Sequence, residues 1–144
     1  MKLNYEIWLP QLEFMLQTIS INYPKHPNDV TKKKYYNFIQ DLPLLFPDEP
    51  IGNNFIELLD KYPVTPYLGS RLSFMKWVHF IFNKIKMDLN KETIDFNESL
   101  NRYYKEYEPK ETKEVSYLKQ RKKYVLFAFS IILISGIIYL YNKD

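Results

Sequence analysis

The sequence predicts an all-α protein: an antiparallel four-helix bundle with a short fifth helix, followed by a C-terminal transmembrane helix. Three observations predict it. Apolar residues recur at helical spacing through residues 1–107, proline-rich breaks separate those runs, and residues 124–141 form one charge-free apolar block. Alternating, strand-like patterns are missing, and no internal repeat is evident.

The first helix carries Ile7, Leu12, Met15, Leu16 and Ile19 and is ended by "NYPKHPND". The second carries Tyr35, Tyr36, Phe38, Ile39 and Leu42 and stops at Pro43. The third opens within "LLFPDEPIGNNF", residues 44–55. There Asp48 reads as an N-cap, and Pro47 and Pro50 fall where a first turn needs no N–H. Ile51, Phe55, Leu58 and Leu59 give this helix an apolar face, and "KYPVTPYLGS" stops it. The fourth and longest helix aligns Leu72, Met75, Val78, Phe82, Ile85 and Leu89, with Trp77 and Ile81 widening the stripe. The fifth is shorter and carries Leu100, Tyr103, Tyr104 and Tyr107. Most of these aromatics are expected in the core.

This reading bounds a helical domain at 1–107, a charged juxtamembrane linker at 108–123 and a tail anchor at 124–141. The block "YVLFAFSIILISGIIYLY" would span about 27 Å as a helix, close to the hydrocarbon thickness of a bilayer. Its Val, Leu, Ile and Phe residues favour insertion by about 3–6 kcal/mol before the polar residues are counted. Tyr124, Tyr139 and Tyr141 stand where interfacial aromatics belong. "KQRKK", residues 119–123, precedes the block and a nearly neutral "NKD" follows it, so the bulk of the chain is expected on the cytosolic side. The short remainder implies insertion after synthesis. "MKLNYEIWLPQLEF" lacks the continuous apolar core of a signal peptide.

Composition excludes several chemistries. The 144 residues contain no cysteine, so disulfides, thiol nucleophiles, iron–sulfur clusters and dithiol relays cannot form within the chain. Three glycines are too few for a Gly-rich phosphate loop. His26 and His79 have no acidic ligand pattern around them, so no metal site is expected. A net charge of +3 is too weak to imply a nucleic-acid partner, and "SLNRYYKEYEPK" reads as a solvated helix face. Asp48, Glu49, Glu57 and Asp60 read as cap and surface charges, and His79 as a packing residue rather than an acid–base group.

The order of these blocks resembles the Erv/ALR family of FAD-linked sulfhydryl oxidases. "LQTISINYPKHP" is similar to the family's "LHT(x)A(xx)YP(xx)P" segment, "FIQDLPLLFPDEPIGNNF" to its "F…L…YPCxxCxxxF" segment, and "SRLSFMKWVHFIFNKIKMDLNK" to its "R…F..W…HNxVNxxLxK" segment. The blocks cover about residues 14–104 in family order. The resemblance implies a helical bundle that holds FAD, usually as a dimer, with a CxxC pair at the start of the third helix. There the helix dipole lowers a thiolate's pKa and the thiolate passes electrons to the flavin.

On the CxxC positions this chain has Asp48 and Ile51. Asp48 suits the cap and the dipole, but a carboxylate forms neither a disulfide nor a thiolate–flavin adduct. Gln17 and Phe82 stand at the family's two histidines and Lys86 at its second asparagine, with Phe82 placed to fill space that a flavin ring system would occupy. Trp77, Asn83, Ile85 and Lys91 fit the pattern, and Tyr103 stands where an aromatic closes the pocket. Trp77, Asn83, Lys91 and Tyr103 are therefore the cofactor-binding candidates. Each lost hydrogen bond costs about 1 kcal/mol, so the expectation is no cofactor, FAD being the one this scaffold would take.

The function expected is a catalytically inactive, membrane-anchored homologue acting as a structural or protein-interaction module, with one or more protein partners, a second copy being one candidate. In a viral setting, which the Lys/Asn/Ile/Tyr-rich composition suits, it would serve a virion membrane or its assembly. The alternative is an FAD-binding flavoprotein working through a partner's cysteines. A third reading sets the resemblance aside, leaving an unrelated tail-anchored adaptor.

Overall fold

The computed structural model describes residues 3–108 and 113–141, except for the side chains of 113–116, 136, 137 and 139–141. All regular structure among these residues is helical. Helices α1 (Tyr5–Ile21), α2 (Asp29–Asp41), α3 (Glu49–Lys61), α4 (Arg71–Asp88) and α5 (Phe96–Lys105) belong to a compact unit that ends at Glu106. Helix α6 (Lys113–Tyr141) belongs to a second unit.

Each of the first five helices starts on a side-chain cap. Asn4, Asn28, Asp48, Ser70 and Asp95 accept hydrogen bonds from the backbone N–H groups of Glu6, Thr31, Ile51, Ser73 and Asn97, at 2.8–3.3 Å. These bonds satisfy donors that the first turn leaves orphaned. Two short 3₁₀ turns, Leu42–Leu45 and Thr65–Tyr67, lead into and out of α3.

Helix α4 is the centre of the first unit, and its Phe74, Trp77, Val78, Ile81, Phe82 and Ile85 are all buried. Helix α1 packs along it, and α3 and α5 lie against it. The expected stripe needs correction at its start, where Phe74 is buried and Leu72 half exposed. Two residues apart, they face roughly opposite sides of the helix. Ile7 and Met15 of α1 are likewise 70% and 49% exposed, while Leu9 and Leu16 enter the core. Tyr23 fixes the turn after α1: its buried hydroxyl donates to the Leu68 carbonyl at 2.8 Å, and Arg71 donates to its carbonyl.

The segment before α3 is held equally closely. A Cβ on Gly52 would lie 3.2 Å from the Pro43 carbonyl oxygen. Phe46 packs on Trp8 and Phe55 with ring centroids 5.6 and 5.2 Å apart.

In the second unit, residues 113–123 of the expected linker are already helical and continue without a break into the apolar block. Its described large apolar side chains between Val125 and Ile134, and Ile138, are all more than half exposed. Among the described residues no helix is long and apolar enough to cross a membrane. The expected span, 124–141, includes residues 136, 137 and 139–141, whose side chains lie outside those described.

Candidate functional site

Two places carry the sequence's functional signals. The first is the start of α3. Asp48 is 6% exposed and its Oδ1 accepts from the Ile51 N–H at 3.3 Å. Ile51 is 5% exposed and belongs to the hydrophobic core. One position is an N-cap and the other a packing residue. Neither presents a nucleophile or an electron carrier.

The second is an open cavity of about 240 Å³ between α1, α4 and α5. Glu13 and Gln17 line it from α1, Lys86 from α4, and Ser99, Arg102 and Tyr103 from α5. The Lys86 ammonium donates to Glu13 Oε1 at 2.7 Å, and both side chains are largely shielded, at 22% and 14% exposure. Gln17 Nε2 donates to Ser99 Oγ at 2.7 Å. Tyr103 donates its hydroxyl to Thr18 Oγ1 at 3.0 Å and packs its ring on Phe14 at 5.0 Å.

Of the four cofactor-binding candidates, the structure brings only Tyr103 to this cavity. Asn83 lies behind its wall, donating through Nδ2 to the Ile94 carbonyl at 2.9 Å and lying 3.0 Å from His79 Nε2. Burial, chiefly, holds the His79 imidazole below its ordinary pKa, which suits an acceptor nitrogen facing the Asn83 amide. Trp77 points elsewhere and donates Nε1–H to the Tyr62 carbonyl at 3.0 Å. Lys91 pairs with Glu6 near the start of α1; that hydrogen bond holds the Glu6 carboxyl below its usual range and raises the lysine.

Sequence reasoning missed Glu13, Ser99 and Arg102. A signal existed: Glu13 and Gln17 are one turn apart on α1, and Ser99, Arg102 and Tyr103 share a face of α5. Only the fold shows that these faces meet across Lys86. Among the described residues no group of three or more His, Cys, Asp or Glu could hold a metal ion.

The Erv1/Alr family model matches residues 14–108, well over half of the chain. The chain belongs to the Erv1/Alr family. A relative from Acanthamoeba polyphaga mimivirus, described as a probable FAD-linked sulfhydryl oxidase, is 28% identical over 93 residues. That match covers 64% of this chain and spans 65% of the relative's length. Among solved structures, the yeast Erv1 core superposes with a TM-score of 0.64 at 21% identity, covering 70% of this chain and 84% of that one. The FAD binding domain of Erv1 from Saccharomyces cerevisiae gives the same score and identity, with 94% of that chain covered. These likenesses establish an Erv1-like helical fold. Within it, this Erv1/Alr member has no cysteine at all.

Proposed function

We propose that this Erv1/Alr chain is a non-catalytic, membrane-anchored module that presents a helical domain to protein partners, a second copy among them. One observation carries the reading. At the start of α3, where the family pattern places its CxxC pair, Asp48 is a buried helix cap and Ile51 a core residue. Thiol–disulfide exchange needs a sulfur at the attacking position, and the chain supplies none.

The anchor rests on the charge-free apolar block 124–141 of the sequence, part of whose side chains lie outside those described. Its described apolar side chains from Val125 to Ile134 are exposed on every side of the helix rather than along one stripe. A helix apolar all round belongs in a buried or lipid setting. Lys119, Arg121, Lys122 and Lys123 precede that block, which favours placing the domain on the cytosolic face or one equivalent to it. A role in a virion membrane or its assembly fits such an anchor and a viral relative.

The residues at the cavity do not fit FAD. A dinucleotide is larger than the drug-sized ligands whose sites run to about 300–1,000 Å³, and Glu13, Gln17 and Lys86 bond within the protein. The second reading, a flavoprotein acting through a partner's cysteines, has one observation in its favour: the buried Oδ1 of Asn83 accepts no hydrogen bond. A single water would satisfy that atom, and Asn83 does not line the cavity.

The test is to wash membranes carrying the full chain with alkaline carbonate and then cross-link them. The chain is expected to remain in the membrane fraction and to yield a defined complex, with itself or another protein. A chain released by the wash, or one that forms no stable complex, contradicts the proposal.

A further inference from the structure

We infer that this chain has committed the polar positions on the cofactor side of its bundle to its own side chains, the Glu13–Lys86 ion pair being the strap that joins α1 to α4. The inference rests on the non-catalytic reading above and makes a separate claim: the domain reaches its folded state without a flavin and takes none up.

Three positions that the family pattern assigns to polar contacts are committed to internal structure. Lys86 is paired with Glu13 at 2.7 Å, Gln17 is bonded to Ser99 at 2.7 Å, and Phe82 is 1% exposed within the core. These bonds run from α1 to α4 and from α1 to α5. Tyr103, bonded to Thr18, makes a second α5-to-α1 link. A shielded pair is tightly coupled, because removing one partner leaves the other charge desolvated and unmatched. A ligand that took the Lys86 ammonium as its own contact would have to break this pair and strand the Glu13 carboxylate. Restoring one histidine alone would therefore not release these positions.

The same physics separates this arrangement from a chance surface contact. A surface pair contributes little, and its two deletions add independently. A strap shows coupling: either single deletion is costly, and an apolar pair of similar size recovers most of the loss.

The experiment is thermal unfolding of the full chain in detergent micelles, with and without a large excess of FAD, for the wild type, Lys86→Met, Glu13→Leu and the Glu13→Leu/Lys86→Met pair. The wild-type Tm is expected to stay unchanged with FAD. Either single change should lower Tm by about 5–10 °C, and the pair should recover most of that loss. A rise of about 10 °C on adding FAD, the response of a small domain to a ligand at a hundredfold excess over its Kd, overturns the inference. So do single losses that simply add in the pair. The outcomes separate from the functional reading: flavin uptake without thiol oxidation sinks the strap alone, whereas absence of any complex in the membrane sinks the module alone.

Discussion

The Asp48 carboxylate accepts a hydrogen bond from the Ile51 N–H at 3.3 Å, so the two positions that would hold the family's cysteines are joined as helix cap and first-turn residue. The bond keeps α3 starting where a reactive thiolate would need it to start. It also places a carboxylate at the positive end of the helix, where negative charge is favoured. Asp48→Ala is expected to cost about 1 kcal/mol through loss of the cap. Asp48→Asn should cost less, because it keeps an acceptor oxygen. Urea-unfolding midpoints of the three proteins check this order.

Returning sulfur to the site is not expected to return activity. Asp48→Cys combined with Ile51→Cys rebuilds the family's motif on an intact helix start, yet the cavity beside α1, α4 and α5 remains tied by Glu13–Lys86 and Gln17–Ser99. Peroxide production from dithiothreitol by that variant, with FAD added, should stay at the protein-free level.

Much of the fold was legible because its signals are local. Asn28, Asp48 and Ser70 sit before apolar-periodic runs, and prolines mark the breaks between them, so the helices fall close to their expected ranges. What was not legible is non-local. Periodicity cannot say that Leu72 faces out while Phe74 faces in, since that depends on which neighbours α4 meets. The cavity depends on Glu13 meeting Lys86, 73 positions along the chain, and Gln17 meeting Ser99, 82 positions along. Gln17 and Lys86 read as losses in the sequence alone; in the fold each has a new partner.

The approach of the 3₁₀ turn to α3 depends on a glycine. At Gly52 an added Cβ would press on the Pro43 carbonyl oxygen at 3.2 Å, whereas at Gly69 it would meet nothing within 4 Å. At Gly52 the crowding of the Pro43 carbonyl should cancel the roughly 1 kcal/mol that alanine gains over glycine inside a helix, so Gly52→Ala is expected not to raise the thermal midpoint. Gly69→Ala should leave the thermal midpoint essentially unchanged, which makes it the control.

The folded domain should lose stability in mildly acid solution through His79. Burial lowers its pKa from the ordinary 6.5, with the Lys86 charge acting in the same direction and the Glu13 charge opposing. Between the depressed folded value and 6.5, the unfolded chain binds more protons than the folded one, so stability falls as pH falls through that window and is fully present above it. Glu6, lowered from 4.5 by Lys91, acts only in more acid solution. Urea midpoints at about pH 7.5 and 5.5 should differ for the wild type, and His79→Gln should narrow the difference.

Removal of residues 124–141 should release the domain from membranes without unfolding it, because the compact unit of the first five helices ends at Glu106. Fractionation read alongside the thermal midpoint checks both halves of that statement.

The central claim is that this Erv1/Alr chain keeps the helical scaffold without the family's redox chemistry. Oxygen consumption by the purified full chain, supplied with dithiothreitol and FAD, tests it most directly. The account predicts a rate equal to that of the protein-free blank; peroxide formed in proportion to protein concentration would contradict it.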